Sequence, residues 1–277
     1  MNSLPSVPAV ATPHNGATMG YQPTLYVENG TDPESYPLAY QFEVYLDFIN
    51  EGPIAVSGLI PEASDSTGWT VETFLTENVI YFWRCRAWDG FEYSNWSPYW
   101  FFAVNDSPEP PGTPAIVGPV GDDLILYDML PTFSWTGVTD PDPYDEVHYR
   151  LELSITPNFT LAVPFDGLTG ASYQFVDSLV FGIHYWWRVK AIDIGGHFST
   201  SQPANFWSWT LGDVNRTHSC TISDVSMIVD HLFITNTPIL PRKTGDVNHT
   251  CTITISDVQR IVDHLFISAG ELLVGCE

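Results

Sequence analysis

Between residues 20 and 211 the chain alternates apolar and polar positions in short runs. Turn signals such as NGTDPE (29–34) and TDPDPYD (139–145) separate those runs. A period of two predicts half-buried antiparallel β-strands, and frequent turns predict β-sandwiches. In residues 81–87 the alternation places Tyr81, Trp83, Cys85 and Ala87 on one face. In 185–191 it places Tyr185, Trp187, Val189 and Ala191 there. Cys85 therefore stands where a core Val would, as a buried free thiol. The other face carries Phe82, Arg84, Arg86 and Trp88, then Trp186, Arg188 and Lys190. Cations among rings stabilise a sheet surface, or they form a contact ridge for an acidic neighbour.

The pattern repeats. Pro23-Thr24-Leu25, Thr31-Asp32-Pro33, Tyr40–Val44 and YFWRCRAWD (81–89) recur as Pro131-Thr132-Phe133, Thr139-Asp140-Pro141, Tyr149–Leu153 and YWWRVKAID (185–193), at offsets of 104 to 109 residues. The Tyr-x-Trp-Arg strand and its upstream Pro-Thr strand resemble the fibronectin type III family. The expected fold class is mainly β: two immunoglobulin-like sandwiches and a small helical tail. The expected domains are residues 1–104, a stiff Pro-rich linker 105–114, a second sandwich 112–211 and a tail 212–277. No linker precedes Gly212, which predicts rigid coupling of the tail to the second sandwich.

In the tail the period changes to that of a helix. GDVNRTHSCTISDVSMIVDHLFI (212–234) returns as GDVNHTCTITISDVQRIVDHLFI (245–267). Ile222, Val225, Ile228, Val229 and Leu232 form one apolar stripe, and Ile255, Val258, Ile261, Val262 and Leu265 form its copy. Before each stripe lies a polar loop. Asp213, Asn215, Thr217, Ser219, Thr221 and Asp224 occupy positions 1, 3, 5, 7, 9 and 12. Asp246, Asn248, Thr250, Thr252, Thr254 and Asp257 repeat them. Oxygens at those positions, with a backbone carbonyl at 7, are the layout that wraps Ca²⁺. The alternative is a helix cap with the loop held by hydrogen bonds alone.

The duplicated loop and helix resemble a dockerin. The resemblance implies calcium as cofactor and a cohesin-like partner, with loop positions 10 and 11 at the contact: Ile222, Ser223, Ile255 and Ser256. Two departures stand out. The family's position-5 Asp is Thr in both copies, and its position-6 Gly is His218 and Cys251. Each loop then brings two formal charges, which predicts weak affinity. Antiparallel helices would bring the chain end beside the first loop. This favours a Cys220–Cys276 disulfide, with Cys251–Cys276 as the alternative.

Charge narrows the partners. The net charge is −24, with 9 Lys and Arg in 277 residues. Nucleic acid and anionic membranes are excluded as natural partners, while calcium or a neutral glycan fits such a field. No apolar run is long enough to span a bilayer, and the first residues lack the pattern of a signal peptide. A disulfide and sequons still point to an extracellular, cell-surface address. Half of the 12 Asn begin sequons, at Asn29, Asn95, Asn105, Asn158, Asn215 and Asn248. A sugar on Asn215 would compete with calcium for the same side chain.

No nucleophile, metal or phosphate motif of an enzyme is present. The expected function is therefore non-catalytic: a self-associating, head-to-tail subunit of a surface fibre, with the N-terminal stretch as a possible donated strand. The alternatives are a docking module for a cohesin-type partner and a glycan-binding adhesin.

Overall fold

The computed structural model describes residues 2–122, 124–267 and Leu272. The chain divides into two compact units, Met1–Pro110 with Asp140–Glu146, and Pro111–Thr139 with Val147–Glu277. Both are built on strands, and two short helices close the second.

In the first unit one sheet orders Ala9–Thr12, Thr24–Glu28 and Ser66–Thr70. The other orders Ala17–Met19, Trp100–Val104, Val79–Trp88 and Ala39–Tyr45, with Ala55–Val56 and Ile60–Pro61 on its edge. The second unit repeats the plan. Its smaller sheet is Ile116–Gly118, Thr132–Trp135 and Ser172–Gln174. Its larger sheet runs Ile125–Leu126, Ala204–Ser208, His184–Ile192, His148–Ser154 and Val163–Leu168.

The period-two reading of the central strands holds. Tyr81, Trp83, Cys85 and Ala87 are buried, as are Tyr185, Trp187, Val189 and Ala191. Each row packs in its own core, the first against Phe42, Val44 and Phe102, the second against Phe133, Leu151 and Phe206. Cys85 is a free, fully buried thiol. Burial pushes its pKa far above the ordinary range, so it packs as a small apolar group and is chemically quiet.

One expectation changes here. The N-terminal stretch is not a free donor strand, because Ala9–Thr12 already pairs with its own chain, Val10 opposite Val27. The stretch 105–109, part of the segment expected as a stiff linker, is pinned to the first unit. Asn105 N–H donates to the Met19 carbonyl, Asp106 and Ser107 N–H both donate to Glu77 Oε1, and Glu109 N–H donates to buried Asp142. The units part between Pro110 and Pro111.

The tail follows the last strand of the second unit without a spacer. Helix α1 spans Ile222–Phe233 and helix α2 spans Ile255–Val262, the latter passing into a π-helical turn at Asp263–Ile267. Helices this short are marginal alone. Together they bury Val214, Val225 and Ile228 with Val247, Val258 and Ile261, three residue pairs at the repeat offset, around Ile239. Among the described residues no helix is long and apolar enough to cross a membrane.

Candidate ion-binding and docking module

Each tail helix is started by its own loop. In α1, Asp224 Oδ2 accepts from the N–H and hydroxyl of Thr221 at 2.8 and 3.0 Å. In α2, Asp257 Oδ2 does the same for Thr254 at 2.8 and 3.2 Å. A Thr at the N-cap and an Asp three residues on are a capping box, which satisfies donors a helix start leaves orphaned.

In the first loop the position-12 Asp is near enough to the position-1 Asp for the two charges to interact. Asp213 accepts from Thr217 N–H at 3.0 Å and His218 N–H at 2.8 Å, and Asp224 Oδ1 accepts from Asn215 N–H at 3.0 Å. Asn215 Oδ1 accepts from the Thr217 hydroxyl at 2.7 Å, and that hydroxyl lies 3.5 Å from the Ser219 carbonyl. In the second loop Asp246 accepts from Thr250 N–H at 3.1 Å and Asp257 Oδ1 accepts from Val247 N–H at 2.9 Å. The Thr250 hydroxyl bridges Asn248 Oδ1 at 2.7 Å and the Thr252 carbonyl at 3.2 Å. Positions 1, 3, 5, 7, 9 and 12 are hydrogen-bonded in both copies, with position-12 Oδ1 accepting from the position-3 amide in the first loop and the position-2 amide in the second.

The backbone repeats too. Arg216 and His218 have φ of 61° and 65°, and His249 and Cys251 have 60° and 64°. Position 6 takes the left-handed turn that favours Gly although neither copy has Gly there. Asp213, Asp224, Asp246 and Asp257 are all buried. Burial raises the Asp213 pKa above its ordinary value; the Thr217 hydrogen bond opposes this, and the neighbouring charge of Asp224 adds to it. Among the described residues neither Asp213 nor Asp224 has an ion pair. Two buried carboxylates ringed by amide, hydroxyl and carbonyl oxygens form a donor set suited to one hard divalent cation.

The stripe expectation needs correcting at its first residue. Val225, Ile228, Val258 and Ile261 are buried, but Ile222 is 56% exposed and Ile255 is 59% exposed. They open the first helical turn and point away from the core. Beside them Ser223 and Ser256 hold the loops, accepting from Asn215 and Asn248 Nδ2 at 2.7 Å. At the other helix ends a further pair escaped the stripe reading: Phe233 and Ile234 are 67% and 72% exposed, Phe266 and Ile267 66% and 72%. The duplicated Leu-Phe-Ile was the available signal.

The favoured disulfide is also corrected. Cys220 is a free thiol, while Cys251 is disulfide-bonded; Cys276 lies outside the described residues. Cys220 Sγ packs against Gly212, so closely that a Cβ there would lie 2.7 Å from the sulfur. Burial, then the charges of Asp224 and Asp213, push this thiol up to about 12.

The cations of the basic ridge are held by their own sheets. Arg84 pairs with Glu43 at 2.7 Å and lies 4.2 Å from the Trp96 ring. Arg86 bonds Gln41 and lies 3.7 Å from Tyr93. Ser94 and Ser97 clamp that aromatic segment by accepting from Ala87 and Cys85 N–H, both at 3.0 Å. Arg188 and Lys190 share Glu152 at 2.5 and 2.9 Å, under Phe159 and Phe198. Trp88 lies on Tyr93, and Trp186 on His184. These contacts fix the cations on their own sheets, with two carboxylates, Glu43 and Glu152, among four cations.

The six sequons separate by geometry. Asn29 Nδ2 is tied to the Ala63 carbonyl, Asn215 and Asn248 Nδ2 to the loop serines, and Asn105 Oδ1 is buried. Asn95 and Asn158 are exposed, and Asn158 Oδ1 already accepts from the Thr160 hydroxyl at 2.7 Å. Glycopeptide mapping of native material should find sugar on Asn95 and Asn158, and none on Asn29, Asn215 or Asn248. Sugar on Asn215 would contradict the use of that side chain in the loop.

No family model matches the chain, and no curated protein matches it. Among solved structures it is similar to the crystal structure of the chicken CNTN1 FN1–FN3 domains, at 16% identity and a TM-score of 0.35, covering 74% of this chain and 67% of that one.

Proposed function

We propose that the chain is a non-catalytic extracellular interaction protein. In this reading two fibronectin type III-like sandwiches carry a dockerin-like tail, organised by calcium, that docks on a neighbouring copy and builds a surface fibre. The carrying observation is the matched set of exposed apolar side chains, Ile222 at the start and Phe233 and Ile234 at the end of one helix, and Ile255, Phe266 and Ile267 at equivalent places in the other half. Large apolar side chains exposed at matched positions of a small duplicated module fit a protein contact.

Calcium would be held by Asp213, Asn215, Thr217, Thr221, Asp224 and the Ser219 carbonyl, and by Asp246, Asn248, Thr250, Thr254, Asp257 and the Thr252 carbonyl. Its charge would compensate carboxylates that burial otherwise penalises. The second reading is a tail that docks on a cohesin-like protein, favoured by the exposure of Ile222 and Ile255 at loop position 10.

Sedimentation of the whole chain with calcium tests the proposal. Concentration-dependent assembly should appear, and Ile222→Asp with Ile255→Asp should abolish it without lowering the melting temperature. A wild type that stays monomeric at high concentration ends the self-association reading. If that monomer captures a cohesin-like protein, the second reading stands.

A further inference from the structure

We infer that His218 is a positioning residue that locks the first tail loop onto the second sandwich, so that loop and sheet melt as one body. A left-handed conformation at a residue with a Cβ is strained and persists only where its surroundings hold it. At His218, with φ of 65°, both backbone and ring are held. Its N–H donates to Asp213 Oδ2 at 2.8 Å, and its carbonyl accepts from Thr210 Oγ1, at the end of the sandwich, at 3.3 Å.

The imidazole continues a stack that starts in the sheet. It lies on Trp207 with centroids 4.4 Å apart and planes at 22°. Trp207 lies on His184 at 4.3 Å and 13°, and His184 on Trp186 at 3.9 Å. His184 is fixed in turn by Asn205 Oδ1 at 2.9 Å. Four rings thus run from the central strand of the sandwich into position 6 of the loop. Because Asp213 holds the same residue by its N–H, the loop cannot rearrange without disturbing the stack.

Two further cations close the joint. Arg216 lies 5.9 Å from the Tyr127 ring, and Lys243 lies 5.8 Å from the ring of Trp209, which is buried. Two of the chain's 9 basic residues are spent here. Gly212 N–H also donates to the Thr244 carbonyl, tying the junction to the turn before the second loop. The joint fixes the direction in which the tail presents its exposed apolar side chains. It also makes the sandwich sense whatever fills the first loop; this second consequence rests on the calcium reading above.

Calorimetry of the full chain, in calcium and in EDTA, tests the joint. In the wild type the second sandwich and the tail should share one transition, and calcium should raise it. His218→Gly suits the backbone but removes the ring. It should split that transition into two, separated by about 4–8 °C or more, with only the tail component responding to calcium. His218→Phe, which restores a ring on Trp207, should restore the single transition. Separate wild-type transitions, or an unsplit His218→Gly transition, would overturn the joint. If calcium moves nothing in the wild type, the loop reading fails. The splitting in EDTA still decides the joint.

Discussion

Withdrawing calcium should lower the melting transition of the second unit and leave that of the first unit unchanged. At a calcium concentration about ten times Kd, each loop contributes about 1.4 kcal/mol, so two contribute about 3 kcal/mol. For a body the size of the second unit this is about 6–12 °C. Asp224→Asn and Asp257→Asn should each remove about half of that increment. The increment is the quantity to read, because both substitutions also weaken the metal-free loops. Asp224 Oδ2 accepts two hydrogen bonds from Thr221, and Asp257 Oδ2 two from Thr254. An Asn amide presents one acceptor where the carboxylate presents two. Magnesium should substitute poorly, since it demands tighter octahedral geometry than loops with neutral Thr at positions 5 and 9 offer. A second-unit transition that EDTA does not move removes the calcium reading altogether.

The sandwiches were legible in the sequence because their determinants are local and periodic. Alternation alone placed Trp83 and Trp187 in cores and identified Cys85 as a buried thiol. The face of Arg84 and Arg188 was equally legible, but its use was not. That depended on strand register, which sets Glu43 opposite Arg84 and Glu152 opposite Arg188. The clue existed in the internal repeat, which preserves the Glu together with the Arg. In the tail, the oxygen positions of the loops could be counted from the first Asp. Where the helix begins could not be, and it decides that Ile222 and Ile255 face out. Cysteine pairing was least legible, since spacing does not report how Cys220 packs on Gly212. The role of His218 was hidden for a similar reason. Its partner Trp207 is near in sequence, but their stacking depends on the backbone turn at 216–218.

Glu152→Gln should destabilise the second unit by about 1–3 kcal/mol at neutral pH, the cost of leaving charged hydrogen-bonding groups unmatched on a largely covered surface. One carboxylate serves two cations, Arg188 at 2.5 Å and Lys190 at 2.9 Å, and its side chain is 10% exposed. Burial alone would raise the Glu152 pKa. The hydrogen bonds and charges of Lys190 and Arg188 outweigh burial and hold it below the ordinary Glu value. The sign of the pH dependence follows. A folded-state pKa that is depressed contributes stability present above the unfolded Glu value and lost as pH falls through the folded one. The wild-type and Gln proteins should therefore differ most at neutral pH and converge in acid. Urea is the denaturant for this comparison, because guanidinium would screen the pairs being measured. Equal differences at neutral and acid pH would mean that Glu152 acts by shape and hydrogen bonding alone, with no contribution from its charge.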